Sequence, residues 1–576
     1  MKRKWSKVLT WVTAVVFSLS ILGGLTPVAT AAGPDQGPPA KRDVIAVSGV
    51  VAAAHPLAAQ AGVEILKKGG NAFDAAIATS FMLNVVEPNA SGMGGGGFAV
   101  IYVAKEKKTY MIDYREMAPA KARPDMYALD DSGKVLNDAP VTGYYASAVP
   151  GQLRGMELLH GKFATMKWAD LITPAIRQSE AGLPVSKNLS GIIADEVNRL
   201  EKYSPSLDWF GKVYFKDGLP LQPGDTLKNP ELTESLKKVA QGGADVFYNG
   251  EIADKIAAFY AKNAEGWITK ADLAAYRAKM REPVTTTYRG YTLVTVPPPS
   301  SGGLTVANIL SIMENYDVAK MGRGSTQFHH TFLEAQKLAY ADRSRYMADS
   351  DFVNVPMAEL AGKPYGTSRA KLISPDAANN AVKPGDPKPG SGSTTSFSVV
   401  DKEGNMITVT QTINYFLGAG VVPDGTGILM NDEMDDFVAN NPESVNAPAP
   451  GKRPLSSITP TIVLKDGKPF MTLGSPGGPR IISTVAQVVM NVVDFKMDLQ
   501  TAINDPRMHT ANAPVAQLEQ AIDEATLNEL TAWGHKLNLR PELSLYFGGA
   551  QGIMILPDGR LHGAADPRRL GQAFGY

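Results

Sequence analysis

Residues Ser391–Asn414 read SGSTTSFSVVDKEGNMITVTQTIN. Two runs rich in β-branched residues, Thr394–Val400 and Met406–Thr412, flank Asp401–Asn405, a turn segment carrying Gly404 and Asn405, so the stretch is expected to form a β-hairpin. Setting Val400 opposite Met406 fixes the register and brings Thr394 opposite Thr412. Directly opposed residues have Cβ atoms ~5 Å apart, so two hydroxyls meet at the open end of the hairpin. Threonine is common in strands because it suits them, and the pairing alone does not establish chemistry.

The segment before the hairpin adds to it. Ala377–Ser393 is built of proline, glycine, lysine and serine with no apolar periodicity, the composition of a surface linker open to proteolysis. A threonine hydroxyl is a weak nucleophile until a base takes its proton. A chain break before Thr394 would create an α-amine with a pKa of about 8 on the nucleophile's own residue, supplying that base without histidine.

The rest of the composition narrows the classes. The chain has 576 residues, enough to bury a substantial core, and 57 basic side chains balance 57 acidic ones. That balance gives no global attraction to nucleic acid. Cysteine is absent, which removes disulfides, thiolate nucleophiles and thiolate-bound metals together. The seven histidines form no H-x-x-x-H or H-E-x-x-H pair. His329 and His330 are adjacent and would point about 100° apart on a helix, which suits a shared metal poorly. No metal and no cofactor is expected.

Lys2, Arg3, Lys4 and Lys7 precede an apolar run from Val8 to about Leu25, followed by Ala29-Thr30-Ala31. This is the pattern of a secretory signal peptide over residues 1–31. It implies an extracellular or periplasmic product that has left the membrane once the peptide is removed. An uncleaved anchor is the alternative, since the run approaches the ~20 residues needed to span a bilayer. Ala32–Lys41 reads as a leader.

Further along, Ile45–Ala53 reads as a strand, and Asn71 with Asp74 opens a helix that runs to Val86 and stops at Pro88. Ser91–Gly97 is a loop and Phe98–Val103 a strand. Gly151–Arg289 is mostly helical, with a capping-box-like start at Thr269–Asp272. Pro297–Gly303 is a rigid turn before helices at Leu304–Glu314 and about Gln327–Tyr346. Strands at Ile458–Leu464 and Pro469–Leu473 precede a helix at about Ile481–Val493. Elements of both kinds in both halves predict layered α/β packing.

Several segments carry a family resemblance: TTSFSVVDKEGN, PLSSITPTIV (Pro454–Val463), GSPGG (Gly474–Gly478), SGMGGGGF, DYREMAPAKA (Asp113–Ala122), PPPSSGG and YADRSRY (Tyr340–Tyr346). Together, and in the order they take along the chain, they resemble the gamma-glutamyltransferases from about Val50 to the carboxyl terminus. The resemblance implies the N-terminal-nucleophile hydrolase fold, a four-layer αββα sandwich built from both subunits of one cleaved chain. It implies autocatalytic cleavage between Ser393 and Thr394, giving a large subunit of residues 32–393 and a small subunit of residues 394–576 that stay together as a heterodimer.

The same resemblance assigns roles. Thr394 matches the nucleophile and Thr412 the second threonine that hydrogen-bonds to it. Arg115 matches the residue that grips the α-carboxylate of the γ-glutamyl group, a task suited to the guanidinium fork. Asn414, Glu433 and Asp436 match residues around the substrate α-amine, and Ser456 and Ser457 a pair on the α-carboxylate. Gly477 and Gly478 match the oxyanion hole, just before a helix whose dipole favours developing negative charge. The implied substrates are γ-glutamyl donors such as glutathione, glutamine or poly-γ-glutamate, with water or an amino-acid or peptide as acceptor.

Gly92-Met-Gly94-Gly-Gly-Gly97 formally fits G-x-G-x-x-G, but a helix precedes it and a strand follows. That is the reverse of a dinucleotide fingerprint. Ser396 stands where many members of the resembled family have histidine, and Phe397 where many have tyrosine. Only 19 residues separate Asp436 from Ser456, so the longer lid of some members is absent and an open site is expected. The rival readings are a cephalosporin (glutaryl) acylase of the same fold and a non-catalytic exported binding protein. A glutaryl group has no α-amine for Asp436 to hold.

Overall fold

The computed structural model describes residues 41–382, 393–511 and 515–576. The expected signal peptide and most of the Ala377–Ser393 linker lie outside these residues. Among the described residues no helix is long and apolar enough to cross a membrane.

Two seven-stranded antiparallel sheets organise the chain. The nucleophile sheet runs Gln572–Gly575, Val50–Ala53, Ser393–Val400, Met406–Asn414, Gly96–Val103, Lys108–Asp113, Lys279–Arg281. The facing sheet runs Val44–Ala46, Leu561–Ala565, Gln551–Ile555, Lys468–Gly474, Thr461–Lys465, Tyr291–Thr295, Val284–Tyr288. Both sheets therefore draw strands from both sides of the Ser393–Thr394 bond.

Side-chain alternation explains the layers. Phe397 and Val399 point into a core shared with the helices Pro56–Lys67 and Ala72–Val86. Val400, with Val50, Phe98 and Val100, joins a second core with the facing sheet and the helices Gly302–Met313, Thr326–Tyr346 and Arg480–Val493. The order is helix, sheet, sheet, helix, as the resemblance implies. Thr394, Ser396 and Ser398 share the parity of Val400, so they face the other sheet. Ser398 Oγ donates to the Gln551 carbonyl there, at 3.4 Å. A Cβ on Gly474 would lie 2.3 Å from Ser396 Oγ, so serine and glycine let the two sheets close up beside the nucleophile.

The hairpin register is as read: Val400 pairs with Met406 and Thr394 with Thr412. The Ala72–Val86 helix opens at Asn71 as expected, Asn71 and Asp74 form a capping box there, and the helix is buried along its whole length. Thr269 and Asp272 form the second box. Two expectations need correction. Ile45–Ala53 is not one strand but Val44–Ala46 in the facing sheet and Val50–Ala53 in the nucleophile sheet. The chain changes sheets at residues 47–49, where the Val47 and Ser48 amides donate to the Tyr576 carbonyl at 3.3 and 2.8 Å. The helical middle is also interrupted before Arg289, because Lys279–Arg281 and Val284–Tyr288 extend an edge of each sheet.

Candidate active site

Thr394 sits near the start of its strand, with Oγ1 donating to Thr412 Oγ1 at 3.4 Å. The ladder is irregular here: Ser393 pairs with Asn414 and Thr394 with Thr412, so Ile413 is left over opposite the Ser393–Thr394 junction. Such a bulge bends a strand and re-aims its side chains. Asn414 takes the left-handed conformation (φ 70°) that asparagine tolerates. Its amide donates to Thr412 Oγ1 at 2.8 Å, and its side-chain Nδ2 donates to the Asp432 carbonyl at 3.1 Å.

One cavity of about 500 Å³ collects most of the expected residues. Its wall includes Thr394, Thr412, Asn414, Arg115, Glu433, Asp436, Ser456, Ser457 and Gly478. Gly477 and Gly478 form the turn between the strand Lys468–Gly474 and the helix Arg480–Val493, with φ of 129° and 56°. Both values favour glycine. Thr394 and Gly478 line the same cavity, beside the start of the helix Arg480–Val493.

In the same cavity Arg115, only 1% exposed, is held by an acidic cage. Nη1 lies 2.6 Å from Glu433 and 3.5 Å from Glu116, and Nη2 meets Asp436. Nε and Nη2 also donate to the Pro454 and Leu455 carbonyls, each at 3.3 Å. Burial alone would lower the Arg115 pKa, but the three carboxylates outweigh it and raise it. Burial pushes Glu116 up to about 7 and Glu433 well above the usual carboxylate range, with Arg115 opposing both shifts. Three acids thus share one guanidinium, and burial favours the protonated forms of two of them, Glu116 and Glu433.

Ser456 and Ser457 lie on the segment that pairs with Ser300. The Ser456 carbonyl accepts from the Ser301 amide and hydroxyl at 2.8 and 2.6 Å. Ser457 Oγ accepts from Arg343 Nη2 at 3.0 Å. The short connection after Asp436 folds into a wall: the Val438 amide donates to the Asn446 carbonyl at 2.9 Å, and Asn446 Nδ2 to the Asp436 carbonyl at 2.7 Å. Asn441, Glu443, Ser444 and Val445 line the cavity from this segment.

The family model described as gamma-glutamyltranspeptidase matches residues 58–576. The chain belongs to this family. It is 43% identical to the glutathione hydrolase proenzyme of Escherichia coli K12 over 541 residues, covering 92% of this chain and 91% of that one. The crystal structure of a cephalosporin acylase from Bacillus halodurans superposes with a TM-score of 0.85 at 30% identity, over 95% of this chain and 99% of that one. The Helicobacter pylori gamma-glutamyltranspeptidase structure gives 0.54 at 42% identity, over 57% of this chain and 94% of the matched chain. This gamma-glutamyltranspeptidase family member is therefore an enzyme of N-terminal-nucleophile hydrolase architecture, with both transpeptidases and acylases among its structural relatives.

Sequence reasoning missed several residues at and behind this site. Glu116 follows Arg115 in the chain, and its buried oxygens have no hydrogen-bond partner. Glu87, just past the helix end, accepts from Thr395 Oγ1 directly behind the nucleophile and lies 3.5 Å from Arg569. Residue type and neighbourhood in the sequence flagged neither. Away from the cavity, His330, Glu334 and His535 bring potential ligand atoms within 4.8 Å of one another. Considering His329 with His330 could not find this trio, because His535 arrives from 205 positions away. His330 bridges His535 (2.8 Å) and the Ser374 carbonyl (2.8 Å), and Lys337 Nζ occupies Glu334 at 2.5 Å. With the carboxylate already neutralised, the trio reads as a tie between distant segments.

Proposed function

We propose that this protein transfers or hydrolyses γ-glutamyl groups, with Thr394 as the nucleophile exposed by cleavage after Ser393. The observation that carries the reading is the acidic cage in the cavity. Glu116, Glu433 and Asp436 surround a single guanidinium, and a further cation there would favour the ionised forms of Glu116 and Glu433 that burial disfavours. A donor head bearing both an ammonium and a carboxylate supplies that cation: the ammonium takes Asp436 and Glu433, and the carboxylate takes donors released on the Arg115 and Ser456–Ser457 side. A glutaryl head brings only a further negative charge, which disfavours the acylase reading despite the acylase relatives.

The Thr394–Thr412 contact and the glycine turn in one cavity support the following chemistry. The α-amine of cleaved Thr394 accepts the Oγ1 proton as oxygen attacks the γ-carbonyl, and Thr412 holds the hydroxyl in line. Negative charge on the carbonyl oxygen is stabilised by the Gly477 and Gly478 amides. Collapse expels the amine, protonated by the same α-ammonium, and leaves a γ-glutamyl ester on Thr394. Water or an acceptor amine then releases it by the reverse sequence. Glutathione, glutamine and the amino end of poly-γ-glutamate all present this head.

The test compares L-γ-glutamyl-p-nitroanilide with glutaryl-p-nitroanilide on the purified mature protein, with and without glycylglycine. Preference for the γ-glutamyl anilide, with product transferred to glycylglycine, supports the reading. Preference for the glutaryl anilide overturns it.

A further inference from the structure

The charge balance of the cavity points to a residue outside the expected set. Arg115 is compensated several times over. Arg343, on the helix Thr326–Tyr346, lines the same cavity and is only partly buried. Its Nε donates to Ser301 Oγ at 2.7 Å and its Nη2 to Ser457 Oγ at 3.0 Å, both neutral hydroxyls. Among the described residues no carboxylate lies within 4 Å of it, whereas Arg115, Arg281, Arg453, Arg507 and Arg568 are each paired with at least one. Burial pushes the Arg343 pKa down, with Tyr340 and Asp436 opposing only in part, the opposite direction to Arg115. A guanidinium that faces the cavity with only hydroxyls within hydrogen-bond reach leaves donors and charge that a ligand carboxylate can take up.

The contact with Ser457 sharpens the point. A serine oxygen that accepts from Arg343 keeps its own single proton to donate, and the Ser457 side chain also faces the cavity. Arg343 thus turns Ser457 into a hydrogen-bond donor and supplies the positive charge beside it. We propose that Arg343 is a specificity-determining residue of the donor site: with Ser457 it binds the α-carboxylate of the γ-glutamyl group, while the acids around Arg115 take the ammonium. The proposal rests on the γ-glutamyl reading and adds a residue to it.

A substrate deletion tests direct contact. 4-Aminobutanoyl-p-nitroanilide is the γ-glutamyl anilide without its α-carboxylate. Arg343→Gln should lower kcat/KM for the γ-glutamyl anilide about thirtyfold or more, chiefly through KM, as expected when one partner of a desolvated charge pair is lost. It should change the 4-aminobutanoyl anilide by less than about threefold, because no carboxylate remains to lose. Arg343→Lys should recover part of the γ-glutamyl loss, since an ammonium keeps the charge but not the fork. If Arg343→Gln does not accumulate as cleaved protein, Arg343→Lys carries the test, with a raised γ-glutamyl KM and an unchanged 4-aminobutanoyl KM expected. Equal losses on both anilides, or no loss on either, would overturn the proposal and leave Arg343 a structural brace between Ser301 and Ser457. A wild type that prefers the glutaryl anilide would overturn the γ-glutamyl reading itself, and this proposal with it.

Discussion

Asp436→Asn isolates the charge on which the substrate assignment depends. Asp436 meets Arg115 with its side chain 26% exposed, while Glu433 and Glu116 lie on the same guanidinium at 2.6 and 3.5 Å. Removing the Asp436 charge therefore leaves Arg115 paired, and the variant should fold and cleave. The donor ammonium loses one of its carboxylates but keeps Glu433. Truncating one partner of a buried charge pair costs roughly 2–5 kcal/mol; partial exposure and the surviving acid place this case at the low end, ~2 kcal/mol. That corresponds to about a thirtyfold fall in kcat/KM, mostly as a higher KM, because the contact is made equally in ground and transition states. Steady-state rates with γ-glutamyl and glutaryl anilides read it directly. The glutaryl anilide should be unaffected or improved, since a carboxylate-only head loses a repulsion. A folded, cleaved Asp436→Asn protein with wild-type kcat/KM on the γ-glutamyl anilide would refute the reasoning, as would equal losses on both.

Mass spectrometry of the purified protein should show two chains, the smaller beginning Thr-Thr-Ser-Phe, and Thr394→Ala should remain one inactive chain; an active, uncleaved wild type contradicts the assignment of Thr394. Gly478→Ala forces a side chain onto φ 56°, a strain of about 1–2 kcal/mol, and displaces an oxyanion donor whose loss costs roughly a hundredfold or more in kcat; unchanged kcat would remove Gly478 from the mechanism. Burial holds Glu116 up to about 7, and a bound ammonium favours its ionised form, so binding releases protons and donor KM should fall as pH rises through about 7. Glu116→Gln should flatten that dependence. The same group weakens the fold as pH rises from its unfolded value, about 4.3, to about 7, because the unfolded chain ionises first; denaturant titrations across that window should show a shallower slope for Glu116→Gln.

The hairpin was legible because its register is local. A five-residue turn and two alternating runs fix Thr394 opposite Thr412 without reference to the rest of the molecule, and the helix caps at Asn71 and Thr269 are equally short-range. The break within Ile45–Ala53 was not legible: Val44–Ala46 and Val50–Ala53 are similar in composition, all small or β-branched, and only their partners, Leu561–Ala565 and Ser393–Val400, place them in different sheets. Glu116 and Arg343 escaped for a related reason. A charged residue beside Arg115 or on a helix looks like surface until its burial and its neighbours are known.

The sequence by itself determined the hairpin register that sets Thr394 opposite Thr412, and the family, since each depends on residue type and short spacing along the chain. Only the tertiary structure decided which charges compensate one another. Arg115 lies more than three hundred positions from both Glu433 and Asp436, and Arg343 reaches Ser457 across 114. Coulomb energies in a low-dielectric cavity depend on distances of a few ångströms, which folding sets and chain order does not. The reading of Arg115 as already paired, and of Arg343 as a cavity guanidinium held by the Ser301 and Ser457 hydroxyls, follows from that.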